Sequence, residues 1–221
     1  MGLVGGDEGG RAAAAWARSM ILAGPAVPRM PSAAILELAH AHAQRLGPRH
    51  REVGAILQTL CDVALTARRW PLLARYAATA REFGTSERGV ARYVALATLH
   101  LEGQEAYERV LQQIELPNDR AFTELNVVLW LQRFARGPAA DVRTLVDRVS
   151  REHPHDYVLQ LLVARALIQL GERTRARETL EQLRATGKPP SPEAQAELES
   201  IEARLDAPND DPEEGDAQPP R

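Results

Sequence analysis

The sequence predicts an all-α protein built as a solenoid of stacked helical hairpins. Alanine and leucine dominate the chain, and no stretch sustains the alternation of Val, Ile and Thr that favours strands. Glycines recur every 34 residues, at Gly103, Gly137 and Gly171, and each ends one apolar helix shortly before another begins. A helix-turn-helix period of this length is typical of stacked hairpins, each of which needs its neighbours to bury its apolar face.

The first part of the chain predicts a flexible lead and one hairpin. Residues 1–10 are rich in glycine and poor in apolar surface, so they are predicted to be flexible. A helix is predicted for residues 11–23, where a Gly-Pro pair ends it. Ser32 can cap the second helix, whose apolar stripe runs from Ile35 to Leu46.

The second hairpin is predicted between residues 50 and 84. Its first helix, at about 50–68, carries Cys61 on an apolar stripe, so this thiol is predicted to lie in the core. Trp70-Pro71 is predicted to form the turn, and Gly84 is predicted to close the helix that follows.

The third hairpin is predicted to begin at the capping residues Thr85 and Ser86. Its first helix reaches about His100, Gly103 turns the chain, and Pro117 ends the unit. The core face of its short second helix is predicted to consist of Ala106, Val110 and Ile114.

The fourth hairpin contains the most apolar helix, predicted for about 119–136. Its segment 125–131 (LNVVLWL) is apolar almost all round, which suits a helix covered on several sides. Gly137-Pro138 is predicted to be the turn, because glycine favours the end of one helix and proline the start of the next. The second helix is predicted to bury Val142, Leu145, Val146 and Val149.

The remaining elements are a hairpin over residues 153–190, a capping helix and a tail. Ser191-Pro192-Glu193 is a strong helix start. The narrow apolar seam of this helix predicts an end cap and consists of Ala194, Leu198, Ile201 and Leu205. Residues 206–221 are acidic and proline-rich, so a disordered tail is predicted there, which leaves 11–205 as the helical-repeat domain.

Composition argues against several classes of protein. Outside the acidic tail the chain is nearly neutral and lacks the basic stripe expected of a nucleic-acid-binding protein. No run approaches the ~18 apolar residues of a membrane span. Cys61 is the single cysteine, and acidic Asp7 and Glu8 stand where a signal peptide has positive charge. A cytoplasmic location is therefore expected.

The turn glycines and their surroundings resemble the tetratricopeptide repeat family over about residues 50–190. In that family a small residue stands five positions after the turn glycine and a bulky residue stands nine positions after it. A second small residue follows at twelve positions and a proline at seventeen. Gly137 is followed in this register by Val142, Val146, Val149 and Pro154. The units around Gly103 and Gly171 match less regularly, so the repeats are degenerate. The resemblance implies a right-handed α-solenoid of about five hairpins with a C-terminal capping helix.

The resemblance also implies a concave groove lined by the first helix of each hairpin. The positions carried over from the family are Tyr93, Ala97, His100, Glu124, Val127, Leu131, Phe134, Leu161, Arg165, Ile168 and Gln169. The family's clamp for a peptide C-terminal carboxylate needs Lys and Asn at such positions, and among these residues Arg165 alone could serve. An alternative interpretation places Leu131, Phe134, Leu161 and Ile168 in the core between hairpins.

No catalytic, metal or cofactor site is predicted. His40 and His42 are two residues apart on a helix and point to different sides, while Asp156, beside His153 and His155, suits a helix cap. Residues 186–188 (TGK) lack both the preceding glycine and the following helix of a phosphate-binding loop. Cys61 has no sequence cue for an activating base.

These features predict a non-catalytic adaptor or scaffold that binds an apolar or amphipathic segment of a partner protein in the groove. The alternative is a homo-oligomeric scaffold that associates through its N-terminal helix or through one end of the solenoid. An RNA-binding helical repeat or an enzyme with an unrecognised site is disfavoured by the near-neutral charge and by the lack of a polar constellation.

Overall fold

The computed structural model describes Ala15 and residues 33–50, 52–135, 139–187 and 189–206, and within them every regular element is an α-helix. Helices pack pairwise as in a tetratricopeptide-like helical repeat, so the predicted all-α fold class is confirmed. The helices are α1 (Ala33–Leu46), α2 (Val53–Thr66), α3 (Trp70–Glu82), α4 (Glu87–Glu102), α5 (Gln104–Gln113), α6 (Pro117–Ala135), α7 (Ala139–Glu152), α8 (Tyr157–Gln169), α9 (Arg173–Thr186) and α10 (Pro192–Asp206).

Three predicted helix caps are confirmed by hydrogen bonds. Ser86 Oγ accepts from the backbone N–H of Gly89 at 3.2 Å. Asp156 Oδ1 accepts from the backbone N–H of Leu159 at 3.0 Å. Ser191 Oγ accepts from the backbone N–H of Ala194 at 3.2 Å. Each side chain satisfies a donor that the first turn of a helix leaves unpaired, which is why these helices begin where they do.

The predicted turns at Gly103 and Gly171 are confirmed, because both glycines have positive φ, 91° and 77°. The turn predicted at Trp70-Pro71 is wrong. The chain turns instead over residues 67–69, where Arg68 has φ 53°, and Trp70 and Pro71 form the first turn of α3. Proline fits there because the first helical N–H groups have no partner within the helix.

The chain divides into two compact units, residues 1–130 and 131–221. In unit 1 each helix from α1 to α4 packs on the next along the chain, α4 packs on α5, and α2 also packs on α4. The α2–α4 contact joins the first helices of successive hairpins, which is the contact that stacks repeats. The largest side chains of this core are almost fully buried, among them Leu57, Leu60, Leu73, Tyr76, Tyr93 and Leu96.

One predicted core position in unit 1 is corrected. Ala106 and Ile114 are buried as predicted, but Val110 is only half-buried and Tyr107 is buried instead. Because Tyr107 follows Ala106 directly, the buried face of α5 is rotated towards this larger side chain. Cys61 lies in the core of α2 as predicted, with 1% of its surface exposed.

In unit 2, α7 packs on α8, α8 packs on α9, and α10 packs on both α8 and α9. The four residues of the predicted α7 stripe are all buried, and so are the four residues of the α10 seam. The predicted capping helix is thus present and covers the final hairpin. The lead at 1–10, the turn at Gly137-Pro138 and the tail beyond Asp206 lie outside the described residues, and so does the predicted helix at 11–23 apart from Ala15, which is helical.

Candidate functional site

Tyr93, the first of the predicted groove residues, is buried in unit 1 and does not line an open surface. Its hydroxyl donates a hydrogen bond to the carboxylate of Asp62 on α2, and Arg92 lies 3.5 Å from the same carboxylate. Partial burial raises the pKa of the Asp62 carboxyl, although the hydrogen bond from Tyr93 and the charge of Arg92 act in the opposite direction. The trio ties α4 to α2, which is a structural role.

His100 is exposed and belongs to a group of three rings from three helices of unit 1, the aromatic cluster of Trp70, His100 and Trp130. The rings of Trp70 and His100 stack with centroids 3.8 Å apart. Trp130 meets both rings edge to face, at 5.4 Å from Trp70 and 5.6 Å from His100. Partial burial and the nearby charge of Arg68 lower the pKa of His100, which favours the neutral imidazole.

The two half-buried tryptophans of the aromatic cluster were not predicted as site residues. One signal for Trp130 was available, since it occupies a position where the tetratricopeptide pattern has a small residue. Trp70 gave no such signal because its position next to a proline suggested a turn. Tryptophan that is partly exposed provides a large, rigid contact area and is enriched at protein interfaces.

A cleft of about 410 Å³ lies between α3 and α4 in the same unit. Ala74 and Ala78 on α3 face Val94 and Leu101 on α4 across it, and Leu101 is 47% exposed. Its rim carries Arg81, Glu82 and Glu102. Small apolar side chains with a charged rim can accept the apolar side chains of a docking segment.

Phe134, near the end of α6, is an exposed apolar residue among the predicted groove residues of unit 2. Of its surface, 42% is exposed. The guanidinium of Arg133 lies 5.1 Å from the centroid of its ring, within the range of a cation–π contact. Leu131 is half-buried in the same helix. In unit 1, the predicted groove residue Glu124 is also half-buried.

Arg165 and Gln169 on α8 have different surroundings within unit 2. Arg165 donates to Glu197 of α10 at 3.4 Å, so its charge is engaged in holding the capping helix. Gln169 lines a pocket of about 460 Å³ together with Gln132, Arg133 and Arg204. The structure thus brings Gln169 together with Arg133, which precedes Phe134 in the chain. The sequence pattern did not single out Arg133.

No group of three or more metal-ligating side chains occurs in the described parts of the chain. The His40 imidazole lies 3.0 Å from the hydroxyl of Thr79, within hydrogen-bond range, and both residues are buried. Burial, with a smaller contribution from Asp62, raises the pKa of the Cys61 thiol to about 12, so the reactive thiolate is suppressed.

Among the helices of the described residues, none is long and apolar enough to cross a membrane.

Comparison with known families matches residues 133–201 to the tetratricopeptide repeat, which confirms the resemblance for this part of the chain. The match runs from the end of α6 to Ile201 in α10 and includes Phe134, Arg165 and Gln169. Repeats of this family are generally protein–protein interaction modules and are typically non-catalytic. No curated protein and no solved structure shows a detectable match to the chain.

Proposed function

We propose that this chain is a non-catalytic adaptor that binds an apolar or amphipathic segment of a partner protein. The exposed ring of Phe134, inside the region that matches the tetratricopeptide repeat, is the observation that carries the proposal. It is one of four large apolar side chains that are clearly exposed in the described residues, and among them it alone was predicted to line the groove. An apolar surface of this kind is available for burial by a partner.

Binding would gain free energy chiefly from removing the Phe134 ring from water. Burying apolar area contributes about 25 cal/mol per Å². The adjacent Arg133 carries a charge on the partner-facing side, which favours an amphipathic segment over a purely apolar one. Cytoplasmic partners are proposed because of the composition alone.

In unit 1, the aromatic cluster and the cleft between α3 and α4 support the same class of function. Both present partly exposed aromatic or apolar side chains, and neither contains the paired nucleophile and base that catalysis by a side chain requires. We propose them as additional contact surfaces for a partner protein. The alternative function is self-association into a scaffold through the N-terminal helix or one end of the solenoid, and the exposed Phe134 ring is a further apolar surface for contact between copies.

The test compares Phe134→Ala with Leu38→Ala, because Leu38 is exposed to a similar extent (48%) but lies on α1, outside the predicted groove. Peptides selected from a displayed random library by the wild-type protein are titrated against each variant by fluorescence anisotropy. We expect apolar or amphipathic peptides whose affinity falls about tenfold or more in Phe134→Ala and is unchanged in Leu38→Ala.

Thermal unfolding distinguishes lost contact from lost folding. Phe134→Ala should cost under ~1 kcal/mol of stability, since the ring is already partly in water. Val146→Ala, at a fully buried position of α7, should cost about 2 kcal/mol and serves as the core reference. If no peptide is enriched and analytical ultracentrifugation shows dimers that Phe134→Ala dissociates, the scaffold alternative replaces the adaptor.

A further inference from the structure

The pocket lined by Gln132, Arg133, Gln169 and Arg204, hereafter the Arg–Gln pocket, lies at the C-terminal ends of α6, α8 and α10 within unit 2. Its volume of about 460 Å³ is within the usual range of ligand pockets. All four named side chains are polar, which distinguishes it from the apolar cleft of unit 1. The pocket is therefore suited to a polar or charged occupant.

Its two arginines have no carboxylate partner among the described residues. Other arginines of this unit do have one, since Arg165 pairs with Glu197, Arg175 with Asp147 and Arg184 with Glu202. The guanidinium of Arg133 instead faces the Phe134 ring. An uncompensated pair of guanidinium groups in one pocket favours a carboxylate-bearing occupant.

Arg204 is also not required to cap the end of its own helix. The carbonyl of Leu205 already accepts hydrogen bonds from Arg173 at 2.5 Å and from Arg177 at 3.2 Å. Arg173 also donates to the carbonyl of Arg204 at 3.3 Å, so two of the last four carbonyls of α10 are engaged by side chains other than that of Arg204.

Gln169 adds an uncharged amide to the lining of the pocket. A side-chain amide can both donate and accept hydrogen bonds, so it can pair with a peptide group. An occupant that supplies both carboxylates and peptide groups fits this lining better than a simple anion does, and an acidic peptide segment has both.

The chain itself supplies such a segment close to the pocket. Helix α10 ends at Asp206, two residues after Arg204. Residues 207–221 then contain Asp210, Asp211, Glu213, Glu214 and Asp216. Asp210 is four residues beyond Asp206, the last residue of α10, and four extended residues span up to about 14 Å, so the acids of this segment stay within reach of Arg204. Tethering through so short a connection gives an effective concentration on the order of millimolar, which an untethered acidic peptide must exceed.

We propose that the acidic segment 207–221 binds in cis to the Arg–Gln pocket, with its carboxylates on Arg133 and Arg204 and a peptide group on Gln169. This interaction goes beyond the adaptor function, because it needs no partner protein. It also places a removable acidic segment beside Phe134, so a partner that binds there meets the segment in competition.

The test uses full-length protein in which the five acids of residues 207–221 are changed to their amides, so that the pocket is not occupied in cis. A fluorescein-labelled peptide of residues 207–221 is titrated by anisotropy against this protein and against the wild type. We expect binding to the amide variant that is at least about tenfold tighter than binding to the wild type, whose own segment competes, and that weakens at 0.5 M salt.

Adding Arg133→Glu with Arg204→Glu to the amide variant should weaken binding about tenfold or more. Arg109→Glu with Arg151→Glu, two exposed arginines outside the pocket, is the charge-matched control and should weaken binding less than about threefold. Arg133→Gln with Arg204→Gln repeats the test without charge reversal if circular dichroism shows that the Glu pair disturbs the fold. Absent binding, equal losses in pocket and control variants, or equal binding to wild type and amide variant would overturn the proposal.

Discussion

Tyr93, Val127 and Leu161 each stand ten residues before a glycine of the 34-residue ladder, and all three are at most 2% exposed. His100 and Phe134 stand three residues before such a glycine, and both are exposed. The two positions are seven residues apart, which is nearly two helical turns. They therefore lie on one side of the helix, about 10 Å apart along its axis. The mid-helix position is covered by neighbouring helices, and the position near the C-terminal end is not.

His40 is a buried residue through which pH is expected to change stability. Burial and the charge of Arg75 lower its pKa, against the opposing charge of Glu37. Because the folded-state pKa is below the unfolded value, the stability gained from neutral His40 is complete above about pH 6.5 and is lost as pH falls towards the folded pKa. We expect His40→Gln to lose less free energy of unfolding than the wild type between pH 7.5 and 5.5, measured by urea denaturation.

His155→Gln is the control for this measurement, because His155 is exposed in the connection between α7 and α8. Its pH dependence should follow that of the wild type. Identical pH dependence in His40→Gln and the wild type would show that another group causes the acid destabilisation.

Helix α10 shows at the element scale how a solenoid-type hairpin is closed. Its seam of four apolar residues is buried, while ion pairs at Glu197 and Glu202 attach its outer faces to α8 and α9. Contacts of both kinds are needed, because a narrow apolar seam alone buries little area and exposed ion pairs each contribute under ~1 kcal/mol.

Truncation after residue 190 removes α10 and is expected to expose apolar surface on α8 and α9. We predict a lower thermal midpoint and concentration-dependent association, measured by scanning calorimetry and by light scattering. A truncated chain that stays monodisperse and equally stable would show that α10 is not a cap.

At the scale of the whole molecule, charge is distributed unevenly along the chain. Six acidic residues lie in 206–221, and the rest of the chain is close to neutral. Long-range electrostatic interactions should therefore involve this segment more than the helical units, and they should weaken with salt.

Truncation after Asp206 is expected to lower the thermal midpoint only slightly. The residues removed contain almost no apolar surface, and contacts made by exposed charges contribute under ~1 kcal/mol each. This truncation is also the control for removal of α10. A large fall of the midpoint in calorimetry would mean that residues 207–221 pack against the helical units through more than charge.

Much of the helical framework was predictable because its signals are local. Ser86, Asp156 and Ser191 are caps that act within three residues, and Gly103 and Gly171 provide backbone conformations that other residues adopt less easily. The turn at residues 67–69 was not predicted because the local signal there is ambiguous. Proline is common both in turns and at helix starts, and only the folded backbone distinguishes the two.

The sequence by itself determined that this protein is a set of helical hairpins, since apolar periodicity, caps and turn glycines are encoded over at most 34 residues. Only the tertiary structure decided which side chains on one face are covered. It buried Tyr93 against Asp62, left Phe134 exposed and gathered Arg133, Gln169 and Arg204 around one pocket. Helical periodicity specifies direction around a helix, whereas burial also depends on where neighbouring helices begin and end.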